Sequence, residues 1–158
     1  MGANYEGEVH SDILRSVDVT ITSAQLLALF ATPRTVVAAP GANKALIFVG
    51  AVVHKPAGTA YAGIAATEDL SFKYTNAAGL ELGVCEATGF LDQATAQTRY
   101  VERAGITAPA AGAITSFTPV ANAAIVLHML VGEITTGTSP LNIRVFYRVI
   151  PTNGAVRT

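Results

Sequence analysis

The stretch LNIRVFYRVI, residues 141–150, alternates without a break: Leu141, Ile143, Val145, Tyr147 and Val149 fall on one side, and Asn142, Arg144, Phe146, Arg148 and Ile150 on the other. A period of two sends successive side chains to opposite faces of a sheet, so this is a β-strand with one apolar face and one face that carries two arginines. Upstream, IVLHMLVGEI, residues 125–134, is a second β-rich run, and the TTGTSP between them has the composition of a turn. The expectation is a hairpin in which the two runs pair antiparallel and form the centre of a sheet.

Shorter runs of the same kind fill the rest of the chain. VDVTI, residues 17–21, alternates as a strand. Thr22 or Ser23 can cap a short helix over SAQLLALF, residues 23–30, which Pro33 stops. TVVAAPG, from Thr35, runs into a Pro40-Gly41 turn, and ALIFVGAVVHK, from Ala45, is the longest apolar run of the N-terminal half. Its β-branched content and bounding turns favour a strand over a buried helix, with Gly50 marking a bulge. HKPAGTAYAG reads as a loop or short edge strand, because Pro56 cannot donate to a ladder. DLSFKYTN alternates, with Leu70, Phe72 and Tyr74 assigned to the core and Ser71, Lys73 and Thr75 to solvent. NAAG turns the chain into LELGV, a further strand is expected around Thr98 to Glu102, and AGAITSFTPV, residues 111–120, supplies another. Roughly eight strands joined by short turns make an antiparallel sandwich or barrel. The fold class is mainly β, an antiparallel β-sandwich with one short helix near residues 23–30. The organisation is an N-terminal arm (1–15), a single β-sandwich domain (16–152) and a C-terminal tail (153–158).

A chain of 158 residues is long enough for one domain with a real core. Only 13% of its residues are charged, against roughly 25% in an average soluble domain, and the mean hydropathy is +0.43. A surface with so few charges is poorly protected against association, which implies that other subunits cover part of it. The net charge of −1 and the scattered basic residues exclude a phosphate-binding footprint, so no direct nucleic-acid contact is expected. Cys85 is the single cysteine and reads as a small buried hydrophobe. Residues 105–132 lack Asp, Glu, Lys and Arg, but Pro109, Pro119 and several glycines break the stretch, so no membrane span is expected. The start MGANYEGEVHSD lacks a signal peptide's basic and apolar regions, and Glu6 stands where a myristoylation motif needs Ser or Thr. Synthesis in the cytoplasm, without the secretory route, follows as the expectation.

Catalytic chemistry finds little support. His10, His54 and His128 are widely separated, with no HxH or HExxH spacing, so neither a metal nor a cofactor is expected. His128 lies in a strand and reads as a hydrogen-bonded structural residue. There is no GxSxG elbow, Walker loop or GxGxxG fingerprint. Glu68 and Asp69 are adjacent, so a strand would send them to opposite faces, and they are assigned to the beginning of the strand at a solvated turn. The chain is not expected to be an enzyme; a deep pocket joining His54 or His128 to a carboxylate would argue otherwise. Arg144 and Arg148 flank Phe146 on one face, either as a solvated surface whose arginine stems cover the ring or as an interface ladder.

The stretches TITSAQLLALFATPRTVVAAPGANKAL and PVANAAIVLHMLVGEITTGTSPLNIRVFYRVI resemble small structural proteins of tailed bacteriophages. These read as a strand, a short SAQxLAL helix, a TPxTVVxAPGAxKA turn and a final GEIT...LxxRVxYRV hairpin. The resemblance covers both ends of the domain, and the middle only in general character. It implies a capsid decoration, or cement, protein: a jelly-roll-like β-sandwich that sits as a homotrimer on the outer surface of the virion capsid. Its partners would be its own copies and the major capsid protein, whose capsomers it bridges and stabilises. On this reading Tyr5, Glu6, Glu8 and His10 of the arm contact the capsid lattice, and Arg144, Phe146 and Arg148 form a subunit interface. The competing class is a phage tail-tip or receptor-binding β module, which would cluster aromatic residues on distal loops; here Phe72, Tyr74 and Tyr147 fall inside strands.

Overall fold

The computed structural model describes residues 13–103 and 117–153. In chain order they form β1 (Arg15–Ile21), α1 (Ser23–Leu27), β2 (Arg34–Val37), β3 (Lys44–Lys55), β4 (Asp69–Tyr74), β5 (Glu81–Glu86), β6 (Gln97–Glu102), β7 (Ile125–Met129) and β8 (Leu141–Pro151). Alternation in β8 is kept: Leu141, Ile143 and Val145 are buried, whereas Asn142, Arg144 and Arg148 are exposed. By contrast, β7 is buried along its whole length, on both faces.

The strands make two antiparallel four-stranded sheets, in the orders β1-β8-β3-β6 and β2-β7-β4-β5. Pairing is nested: β1 with β8, β2 with β7, β3 with β6 and β4 with β5. This is one long antiparallel ribbon rolled into two facing layers, the jelly-roll form of the β-sandwich. The expected hairpin between β7 and β8 is therefore not made. Each of the two strands is central, but in opposite sheets: β7 lies between β2 and β4, and β8 between β1 and β3.

Hydrogen bonding explains why the connection crosses over instead of turning back. Amides that a hairpin would use are taken by the β3–β4 loop and the first residue of β4: Leu130 N–H donates to the Asp69 carbonyl (3.1 Å), and Thr135 and Ala62 exchange both of their backbone bonds (2.7 and 2.8 Å). The Glu68 carboxylate accepts from the amides of Val131 (2.8 Å) and Gly132 (2.9 Å). Glu68 is 2% exposed, so the solvated turn assigned to it is corrected. Two backbone donors at the carboxylate offset the cost of burying it.

The core lies between the inner faces, where the Phe48 and Phe72 rings stack with centroids 5.1 Å apart. The pairing of β3 with β8 slips between Phe48 and Gly50, a bulge that reverses which parity points inward. Leu46 and Phe48 are buried before it, Ala51, Val53 and Lys55 after it. Lys55 is thereby carried inside, where its Nζ donates to the carbonyls of Pro56, Gln93 and Thr95. Ser71, assigned to solvent, is fully buried instead and donates to Glu81 Oε2 at 2.9 Å. Thr22 caps α1 with a reciprocal box: its hydroxyl accepts from Gln25 N–H while Gln25 Oε1 accepts from Thr22 N–H. The helix ends at Leu27, short of the expected Phe30, although Leu26 and Leu29 both plug the end of the sandwich. The strand expected over residues 111–120 lies mostly outside the described residues, and 117–120 form no strand.

Register also sorts the connections by end. The α1 segment and the β3–β4, β5–β6 and β7–β8 loops meet at one end, tied by bonds such as Tyr61 N–H to the Leu91 carbonyl. At the opposite end lie the start of β1, the β2–β3 turn and the close of β8, where Lys44 is opposite Pro151 and Asn122 N–H donates to the Lys44 carbonyl.

Candidate interaction surface

The two sheets differ in what they leave uncovered. The outer side of β7 is closed by the turn after α1: the His128 ring stacks on Phe30 (5.7 Å), and its Nε2 lies 3.1 Å from the Phe30 carbonyl, to which it must donate. His128 is thus the hydrogen-bonded structural histidine expected. Burial, with Lys73 second, holds its pKa below the ordinary value.

The outer face of the β1-β8-β3-β6 sheet has no such cover among the described residues, and register orders it into rows. The first row runs Thr20, Asn142, His54, Thr98, linked by Thr20 Oγ1 to Asn142 Oδ1 (3.0 Å) and His54 Nδ1 with Thr98 Oγ1 (2.9 Å). The second runs Asp18, Arg144, Val52, Tyr100, and the third Ser16, Phe146, Gly50, Glu102. Arg148, opposite Ile47, begins a fourth. Arg144 grips Asp18 with Nε and one terminal nitrogen, both at 2.7 Å, in the planar two-point fit of guanidinium to carboxylate. The hydrogen bond from Arg144 holds the Asp18 carboxyl below the usual range. Both side chains are more than half exposed, so the pair orders the surface more than it stabilises the fold.

Beside that pair lies an apolar band made of Ile47, Val49, Val52, Phe146 and Tyr100, of which Tyr100 is 61% exposed. Tyr100 lies across β3 at Gly50, where an added Cβ would come within 2.9 Å of its hydroxyl. A side chain at residue 50 would lift the ring off the sheet. The interface triad expected from the sequence is brought together on this face: Arg144, Phe146 and Arg148 all project outward from β8. Arg148 and Glu102 have no ion-pair partner among the described residues. Tyr5, Glu6, Glu8 and His10, expected from the resemblance to contact a capsid lattice, lie outside the described residues.

Sequence reasoning passed over Asp18, Val52 and Tyr100. For Tyr100 the signal was present, since QTRYVE alternates with its aromatic on the same side as Thr98 and Glu102. For Val52 the Gly50 bulge hides it by reversing parity within an apolar run.

His54 and Asp18 do line one open trough of about 490 Å³ on this face. They stand two strands and one row apart, about 12 Å by sheet geometry, and each is already engaged by Thr98 or Arg144. Cys85 is buried, and burial pushes its thiol up to about 11, away from the thiolate a nucleophile requires. No three of His, Cys, Asp and Glu gather into a metal-holding group among the described residues. Nor is any helix among them long and apolar enough to cross a membrane. What the face offers is an aromatic and arginine patch with a polar margin, the make-up of a protein contact surface. Compared with known proteins, the chain matches no family model, no curated protein and no solved structure.

Proposed function

We propose that this chain is a virion structural protein of a tailed bacteriophage that decorates the outer surface of the capsid and stabilises it by bridging capsomers of the major capsid protein, acting as a homotrimer. One observation carries the reading. The two stretches that resemble phage decoration proteins lie at opposite ends of the sequence, yet they fold against each other: β2 pairs with β7, and the last two residues of β1 and the first residues of β3 pair with β8. The two stretches therefore form one contiguous part of the sandwich, β2 and β7 in one sheet and β8 with the adjoining ends of β1 and β3 in the other, and are not scattered local motifs. Low charge and the uncovered band around Phe146 and Tyr100 support obligate assembly, with Arg144, Phe146 and Arg148 at a subunit interface. A protein that binds the finished shell and not its alternatives stabilises it by mass action, and repetition around a three-fold axis multiplies weak contacts.

The test uses purified virions. Mild chaotrope or heat should release the chain as a trimer from heads, and the depleted heads should lose DNA at a lower temperature than intact ones. Copurification of the chain with isolated tails, or its absence from particles, overturns the reading; the first outcome would favour a tail-tip module.

A further inference from the structure

At the end of the sandwich where β1 begins, a groove of about 250 Å³ opens between the β2–β3 turn and the last residues of β8. Its walls are apolar, from Pro40, Leu46, Tyr147 and Val149, and Arg15 and Lys44 stand among its lining residues. Arg148 is near, one residue from Tyr147 and Val149 on the neighbouring face. None of the three cations has an ion-pair partner among the described residues. The groove thus combines an unfilled apolar floor with unneutralised positive charge, which suits an acidic segment with apolar side chains.

The chain itself contains such a segment. Residues 1–12, MGANYEGEVHSD, carry Glu6, Glu8 and Asp12 and no Lys or Arg. An extended course would place Tyr5, Gly7 and Val9 on one side and Glu6, Glu8 and His10 on the other, apolar to the floor and acidic to the rim. Where the segment starts decides whose groove it meets. β1 runs away from this end of the sandwich, so the chain before Arg15 is directed outward, and Ile13 and Leu14 there are 52% and 51% exposed. A segment doubling back into its own groove would have to reverse at these two residues, whereas twelve extended residues reach up to about 40 Å, roughly the diameter of a domain this size.

We infer that the groove between the β2–β3 turn and the end of β8 binds the acidic N-terminal segment of a second copy of this chain. Such a contact closes either by reciprocal exchange in a two-fold dimer or head to tail in a ring. It goes beyond the decoration reading and assigns the arm to a sister subunit instead of the shell.

The test needs only the purified full chain. Unlabelled and ¹⁵N-labelled protein are mixed in denaturant, refolded together and treated with a zero-length carbodiimide, which couples the Lys44 amine to a carboxylate in contact with it. Mass spectrometry should find Lys44 joined to Glu6, Glu8 or Asp12 in peptides of mixed isotope. Links confined to one isotope, or no such links, overturn the inference. In parallel, Lys44→Glu should weaken the oligomer about tenfold or more by light scattering, and adding Glu8→Lys should restore it, while circular dichroism confirms that both variants fold. An oligomer unchanged by Lys44→Glu, or a chain that is monomeric throughout, refutes it. These outcomes are read in solution, so they can fail while the virion experiment succeeds, and the reverse.

Discussion

Removing the Glu68 carboxylate should loosen the crossover that separates β7 from β8. In Glu68→Ala the amides of Val131 and Gly132 lose two charge-assisted bonds of 2.8 and 2.9 Å. Such bonds contribute about 1.5–3 kcal/mol each, which sets an upper figure of about 6 kcal/mol. Val131 is 48% exposed, so water can reach at least that freed amide, and the loss falls to about 2–4 kcal/mol. With a urea dependence of about 2 kcal/mol/M, the unfolding midpoint should drop by roughly 1–2 M at unchanged slope. Glu68→Gln keeps one acceptor and turns an N–H₂ toward the second amide, so about half the loss is expected. The assay is equilibrium urea unfolding followed by far-UV circular dichroism, which suits a chain without tryptophan. An alanine variant with a midpoint within about 0.3 M of the parent would refute the idea that this carboxylate anchors the crossover.

Three further outcomes follow from buried groups. His128 has a folded pKa below its ordinary 6.5, so the unfolded chain binds the extra proton first and stability should fall as pH drops below about 6.5, levelling off below the folded value. The melting temperature measured from pH 7.5 to 5 should show this decline, and its difference from His128→Gln should be flat if another group were responsible. The Cys85 thiol, buried and raised to about 11, should react with a thiol-exchange reagent at pH 8 only after denaturant is added; fast labelling of the native protein would contradict the packing. Gly137 has φ +92° and its missing Cβ would fall 2.3 Å from the buried Tyr61 ring. Gly137→Ala should therefore cost about 3 kcal/mol or more, measured as a fall in urea midpoint, and a neutral result would mean the 135–139 loop can shift freely.

Elements fixed by neighbouring residues were the legible ones. The alternation of residues 141–150, a cap at Thr22 and the Gly50 bulge all depend on side chains within a few positions, and each appears in the structure, the cap with an unforeseen return bond from Gln25. Strand pairing depends on partners far away, and there the reading failed. A turn-rich TTGTSP between two β runs has the composition of a hairpin whether or not the amides around it are free, and the groups that claim those of residues 130–135, Glu68, Asp69 and Ala62, lie more than sixty residues upstream. Ser71 and Lys55 show the same limit in another form. Alternation assigned the serine to the outer face correctly, but solvent does not reach it there, because Glu81 and the covering chain fill the space. Lysine is seldom buried, and only the three carbonyls gathered around Nζ make its position tenable. On the interaction surface the Arg144, Phe146, Arg148 face was legible from period two, whereas Tyr100 joins it only through the pairing of β3 with β6.

Nested pairing has a consequence for the order in which assembly occurs. Asp18 and Arg144, bonded across β1 and β8, are 126 residues apart in sequence, and β2 with β7 is scarcely more local. Only the β4–β5 pair at the centre of the ribbon forms from near neighbours, so closing outward from it, with β1 last, is the order that costs the least loop entropy at each step, and pulse-labelled hydrogen exchange should find the β4–β5 amides protected before those of β1. The patch of Phe146 with Tyr100 needs both β8 and β6 paired on β3, and the groove between Pro40 and Val149 needs β8 beside the β2–β3 turn. Neither surface exists in a partly rolled chain. Association through them is therefore reserved for finished domains, which keeps a low-charge sequence from joining copies while its sheet edges are still open. That order, folding first and assembly second, is the one the proposed decoration role requires, since there the folded subunit joins a shell already built.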